Sequence, residues 1–186
     1  MQAIVQSDTT SRHGDWMQTV TGRQFWPLDP RPEEVHIEDI AHALSMICRF
    51  GGHCLEFYSV AEHCCHVSDY CPTKDKLWGL LHDSTEAYAG DIIRPIKPWL
   101  NGYKGIELRI MECVCQRFNL MPIQPDNVSI IDQRILGNEA RDIMAPPPIP
   151  WYFIGESLPK LKIQCWSPKQ ARMEFAERFY RLYAGE

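Results

Sequence analysis

The stretch Leu80-Leu81-His82-Asp83-Ser84-Thr85-Glu86 sets an imidazole and two carboxylates directly behind two leucines. An ionised aspartate that follows an apolar run is costly to bury unless something positive meets it, and a metal ion is one such partner. Periodicity places the stretch on a helix, where His82 and Asp83 leave the axis about 100° apart and Glu86 lies one turn beyond His82 on the same face. A cation over that edge is within reach of both His82 and Asp83. Two ligands do not hold a metal tightly, so the others must come from neighbouring helices. His63 is the best placed upstream, in the first turn of a helix that starts with Ser59 as N-cap and Glu62 as its capping-box partner. Asp132 is the best placed downstream, an acid behind Val128, Ile130 and Ile131. Asp126 competes with it but falls at a helix start, where capping is the simpler job. Two imidazoles and two carboxylates form a mixed N/O set that suits Mn, Fe, Co, Ni or Zn, with positions left open for water.

These residues need helices to carry them, and the periodicity supplies helices. Ile37, Ile40, Ala41, Leu44, Ile47 and Cys48 form one apolar stripe, predicted to end at Gly51-Gly52. A second helix runs from Ser59 to about Tyr70, and a third from about Lys74 to Ala89, ended by Gly90. The two prolines in residues 91–98 make a loop. A long helix then reaches about Phe118, and another runs from near Pro125 to Met144. Ala145-Pro146-Pro147-Pro148 is extended. The last helix starts at Ser167-Pro168, with serine as N-cap and proline in the first turn, and reaches Tyr183. Ahead of all this, Thr19 to Phe25 fits a short hairpin turning near Gly22. Residues 1–15 read as a loose arm. The expected fold is all-α with a minor N-terminal β-hairpin, in a single domain over 1–186 whose metal-binding core spans 37–143 and whose C-terminal helix spans 167–183.

The chain has 186 residues, 45% hydrophobic and 23% charged, with a formal net charge of -5. That balance excludes a broad nucleic-acid-binding surface, though a cleft can still focus a local positive field on a small anion. No apolar run is long enough to span a bilayer, and the start of the chain lacks the pattern of a signal peptide. The expected compartment is the cytoplasm, or a host's cytoplasm for a phage-encoded chain. The eight cysteines, with no Cys-x-x-Cys pair, then read as reduced thiols filling small apolar sites. An aromatic C-terminal helix bearing Phe175, Phe179, Tyr180 and Tyr183 predicts a homo-oligomer.

His63, then His82-Asp83, then Asp132 resembles the H…HD…D signature of the HD phosphohydrolase superfamily. A longer series extends the likeness to small bacterial 5′-deoxynucleotidases and phage dATP triphosphohydrolases of that superfamily: Arg49-Phe50, Tyr58-Ser59-Val60-Ala61-Glu62-His63, Leu81-His82-Asp83-Ser84-Thr85-Glu86 and Gly90-Asp91-Ile92-Ile93-Arg94-Pro95-Ile96-Lys97. The resemblance implies an HD-type helical bundle with a divalent metal at His63, His82, Asp83 and Asp132. It implies Glu86 and Asp91 as proton-handling groups, or as ligands of a further ion such as Mg, and Arg49 and Lys97 as phosphate contacts. Relatives often carry a basic residue where this chain has Ser129, so that contact is missing or comes from another residue such as Arg134.

The substrate expected on this reading is a small nucleotide, cut between its 5′-oxygen and α-phosphorus. Arg49, Arg94, Lys97 and Arg134 offer more charge than a monophosphate needs, which favours dATP, released as deoxyadenosine and triphosphate. Phe50 and the glycines after it could face a purine, and His53 could line the mouth of the site. A monophosphate-specific 5′-deoxynucleotidase is the main alternative, and a non-catalytic metal-stapled binding module the second. A cyclic-nucleotide phosphodiesterase ranks lower, because no second histidine pair is present to build a larger metal cluster. His36, His42 and His66 read as structural, and Trp26 as core.

Overall fold

In the computed structural model, which describes residues 12–152 and 156–185, the second helix, α2 (Val60–Tyr70), forms the centre. Its residues from Val60 to Ser68 are all buried, polar ones included. A helix buried all round must be met on every side. Around it pack α1 (Ile37–Met46), α3 (Lys76–Leu81), α6 (Asp126–Ile143) and α7 (Pro168–Tyr183). The remaining helices are α4 (Glu86–Ala89) and α5 (Tyr103–Phe118). The strands β1 (Met17–Gln18) and β2 (Gln24–Phe25) pair antiparallel, Met17 opposite Phe25, as the turn at Gly22 requires. The fold is thus all-α with a minor hairpin, as the sequence predicts. Among the described residues no helix is long and apolar enough to cross a membrane.

The ends of two helices follow their sequence signals closely. Ser59 Oγ accepts from the Glu62 N–H, and Ser167 Oγ from the Gln170 N–H, each cap contributing about 1 kcal/mol. The expected return bond of the capping box is not made. Instead the buried Glu62 carboxylate accepts from the N–H groups of Gln164, Cys165 and Trp166. Asn138 clamps the same extended segment upstream, donating to the carbonyls of Leu158 and Leu161 and accepting from the Leu158 N–H.

Three expectations are corrected. The first helix ends at Met46, not at the Gly51-Gly52 pair, because Ile47 and Cys48 turn extended and residues 47–49 bond back to Tyr58–Val60. The third helix does not run unbroken to Ala89: residues 82–85 form tight turns bonded three residues back, Ser84 N–H to Leu81 and Glu86 N–H to Asp83. The C-terminal helix is not an exposed aromatic surface, since Phe175 and Phe179 are buried against α1 and α2 and only Tyr180 and Tyr183 stand half-exposed. Two of the four aromatic residues on which the expected homo-oligomer rested are therefore inside the fold and two are at its surface. Of the expected loose arm, residues 1–11 lie outside the described residues. Its next residue is fixed, Arg12 bridging Asp29 and Glu34 at 2.6 Å each and covering the buried Trp26 ring. Trp26 is core, as expected.

Candidate metal centre

His63 reaches the centre from the first turn of α2, His82 and Asp83 from the turns after α3, and Asp132 from the second turn of α6. The break at 82–85 matters here. Tight turns replace the regular helical stagger just where adjacent side chains must converge, a usual sign of a functional position. His63 Nε2 lies 3.1 Å from Asp132 Oδ1, 3.3 Å from His82 Nε2 and 3.7 Å from Asp83 Oδ2. His82 Nε2 lies 3.3 Å from Asp83 Oδ2 and 3.9 Å from Asp132 Oδ1. For bonds of about 2.1 Å to a central cation, neighbouring ligand atoms sit about 3.0–3.4 Å apart. The observed separations are of that size or slightly wider.

The far sides of the two imidazoles settle which nitrogens face inward. His63 Nδ1 donates to Glu139 Oε1 at 2.8 Å, and His82 Nδ1 donates to the Gly79 carbonyl at 2.8 Å. Both partners can only accept: a carbonyl has no proton, and Arg49 and His63 hold the Glu139 carboxyl below its ordinary range against the cost of its burial. With Nδ1 donating outward, a ring in its neutral form carries its proton there and turns an Nε2 lone pair inward, and the two Nε2 atoms face each other at 3.3 Å. Neither can donate to the other, so the arrangement calls for a positive charge between them. The same demand appears in the proton affinities. Burial disfavours charge on His82, yet Asp83 raises it well above the ordinary imidazole value. Burial and Arg49 oppose charge on His63, and Glu139 and Asp132 still raise it. Against burial, His82, His63 and Arg49 hold Asp83 far below the carboxylate range, and His63 and His82 hold Asp132 at about 2. The residues thus fit a divalent cation, with the histidines as a buried floor and Asp83 and Asp132, 23% and 33% exposed, as the rim.

One further residue, Glu139, supports this set from behind, and sequence reasoning missed it. Glu139 is fully buried two turns after Asp132 on α6, and orienting a metal-binding imidazole through a carboxylate is a recurrent device. Its spacing of seven from Asp132 was the available signal, since that spacing returns to the same helix face. The Tyr58 hydroxyl is buried beside it.

The other expected site residues separate into two groups. Beside the centre lies a cleft of about 210 Å³ lined by His82, Asp83, Thr85, Glu86 and Lys97, with Lys104, Glu107, Leu108 and Met111 of α5 opposite. Glu86 is buried there with Oε2 lacking any hydrogen-bond partner, and burial, reinforced by the like charges of Asp83 and Asp91, pushes its carboxyl up to about 9. Lys97 Nζ donates to Glu107 at 3.1 Å and lies 3.8 Å from Glu86. Asp91 is half-buried at the end of α4, and its carboxyl is raised by burial.

Arg49, Phe50, His53 and Arg94 do not line the cleft. The Arg49 guanidinium grips Glu139, with its Nη1 3.6 Å from Asp83 Oδ2, so it braces the ligands from the protein side. Phe50 follows in a left-handed conformation, φ 56°, with its ring 6.2 Å from that of Trp151. Gly51 continues the left-handed turn, where a Cβ would also crowd the Ile93 side chain at 3.2 Å. His53 and Arg94 are exposed. Arg134 donates to the carbonyls of Glu156 and Ser157, and Ser129 bonds Gln124. Lys104, absent from the sequence-based set, is the cation the cleft gains.

No family model matches the chain. It is 37% identical over 128 residues to the uncharacterized protein YfdR of Escherichia coli strain K12, a match covering 69% of this chain and 72% of that protein. It is 35% identical over 120 residues to an uncharacterized protein of Rhodobacter capsulatus, covering 59% of this chain and 61% of that protein.

Proposed function

We propose, for a chain that belongs to the family of Escherichia coli YfdR, the function of a metal-dependent HD-type phosphohydrolase that cuts deoxynucleotides between the 5′-oxygen and the α-phosphorus. The observation that carries this reading is the pair of inward Nε2 atoms, 3.3 Å apart and flanked by Asp83 and Asp132 beside a cleft with lysines. A divalent cation held there would acidify a water and polarise a phosphoryl oxygen. Around it the chain's own groups divide the remaining work. Lys97 and Lys104 offset the charge of a phosphate seated in the cleft. Glu86, whose burial favours the protonated carboxyl, is the group placed to supply the proton that the departing 5′-oxygen needs. Arg49 keeps Glu139 ionised, and Glu139 keeps His63 aimed at the centre. A purely structural staple would need neither a buried acid with one oxygen left without a hydrogen bond nor lysines at its open side.

dATP is the favoured substrate, with deoxyadenosine and triphosphate as products. The commitment of Arg49 to Glu139 and of Arg134 to the 156–157 backbone favours a second reading. With Lys97 and Lys104 as the cations that line the cleft among the described residues, a monophosphate is charge-matched as well, and the protein would then be a 5′-deoxynucleotidase. The test incubates the protein with dATP and, separately, dAMP in the presence of Mn²⁺ or Co²⁺, and separates the products. Deoxyadenosine with inorganic triphosphate supports the first reading. Turnover of dAMP alone selects the second. Formation of dADP, or of dAMP with pyrophosphate, means another bond is cut, and no turnover of any nucleotide removes both.

A further inference from the structure

His63 and Cys64 are consecutive on α2, so their side chains diverge by about 100° around its axis. His63 turns toward His82 and Asp132. Cys64 turns toward the same histidine from the other side: its Sγ, a His82 nitrogen and an Asp83 carboxylate oxygen all lie within 4.8 Å of one another. His82 is therefore shared between two ligand sets, one completed by His63 and Asp132 and the other by Asp83 and a sulfur, with Asp83 Oδ2 also 3.3 Å from His82 Nε2 and 3.7 Å from His63 Nε2. Cys64 is fully buried, with apolar core on its remaining sides, so nothing else competes for the sulfur from solvent.

Ligand softness separates the two sets. Thiolate favours Zn²⁺ and Cd²⁺, whereas Mn²⁺ prefers carboxylate and imidazole. We propose that Cys64 is a reserve ligand of the centre, recruited with His82 and Asp83 by thiophilic divalent ions and left as a thiol by hard ones. On recruitment the S–H bond breaks, a sulfur–metal bond forms and one proton is released to solvent; no electron changes hands. An ion held by Cys64, His82 and Asp83 is not held by His63 and Asp132, which makes Zn²⁺ and Cd²⁺ traps rather than working cofactors. The inference rests on the metal centre of the proposed function but not on its substrate.

The test titrates the whole metal-free protein with Cd²⁺ and with Mn²⁺, in the wild type and in Cys64→Ser and Cys64→Ala. Cadmium bound to thiolate absorbs in the ultraviolet by sulfur-to-metal charge transfer. The expected result is one such site per chain in the wild type, lost in both variants, with Mn²⁺ affinity kept and so reporting an intact fold. Loss of even an indirect partner typically weakens metal binding about 10–100-fold, so Cd²⁺ affinity should fall at least about tenfold without Cys64. A band that persists in both variants, or a wild type that binds Mn²⁺ and Cd²⁺ without the band, overturns the proposal and leaves the centre standing. A wild type that binds neither ion overturns the centre itself and this inference with it.

Discussion

Glu139 and Asp132 hold opposite edges of one imidazole: Glu139 Oε1 accepts from His63 Nδ1 at 2.8 Å, and Asp132 Oδ1 stands 3.1 Å from His63 Nε2. Both acids belong to α6, two turns apart, so a single rigid element fixes the tautomer of the ring and offers its partner on the metal side. Replacing Glu139 with glutamine keeps the shape but removes the charge. Metal affinity should then fall about 10–100-fold, read by competition with a chelator of known strength. An unchanged affinity would show that His63 needs no help in facing inward.

His82→Ala and Asp83→Ala should each lose both bound metal and turnover. Elemental analysis after dialysis, paired with the product assay, checks the two losses together. An Asp83→Ala protein that keeps both would refute the centre.

The raised carboxyl of Glu86 has a consequence for stability in the metal-free protein. Unfolded, the group releases its proton near its ordinary 4.5; folded, it does so at about 9. Between those values the folded state holds a proton that the unfolded state has lost. Stability therefore falls as pH rises through that window, by up to about 1.4 kcal/mol per pH unit from this group. Glu86→Gln mimics the protonated form and lacks the slope. Urea unfolding at about pH 5, 7 and 8 should show the wild type losing ground to the variant as pH rises. Parallel curves would mean that Glu86 is already ionised when folded.

All eight cysteines are free thiols in the structure. A thiol titration in denaturant without reductant should find eight per chain. Markedly fewer would mean that the chain forms bonds absent from this fold.

Much of this was legible in the residues, and the failures have physical causes. Caps and stripes marked α2 and α7 almost to the residue, because Ser59 and Ser167 act locally. The break at 82–85 left only a weak mark: Asp83, Ser84 and Thr85 are poor helix formers that compete for backbone hydrogen bonds, a signal outweighed by the helical periodicity around them. The early end of α1 depends on backbone bonds to Tyr58–Val60, a pairing with no mark in the sequence. The four candidate ligands could be named because acids and histidines behind apolar runs are conspicuous. Arg49 was noticed, but its partner Glu139 was not, and without that partner its side chain was expected on a phosphate.

Glu62 immediately precedes His63, and its carboxylate holds three successive backbone N–H groups of residues 164–166. The chain leaves α6, runs through prolines and extended segments, and is gripped again one residue away from a metal ligand. Residues 145–150 are exposed, so length changes there can be absorbed, but a shift in register at 164–166 would pull directly on the helix turn that aims His63. The tolerance of this chain to insertion should therefore be sharply graded along its last extended stretch, free at the proline end and intolerant at the tryptophan end, although neither end touches the metal centre.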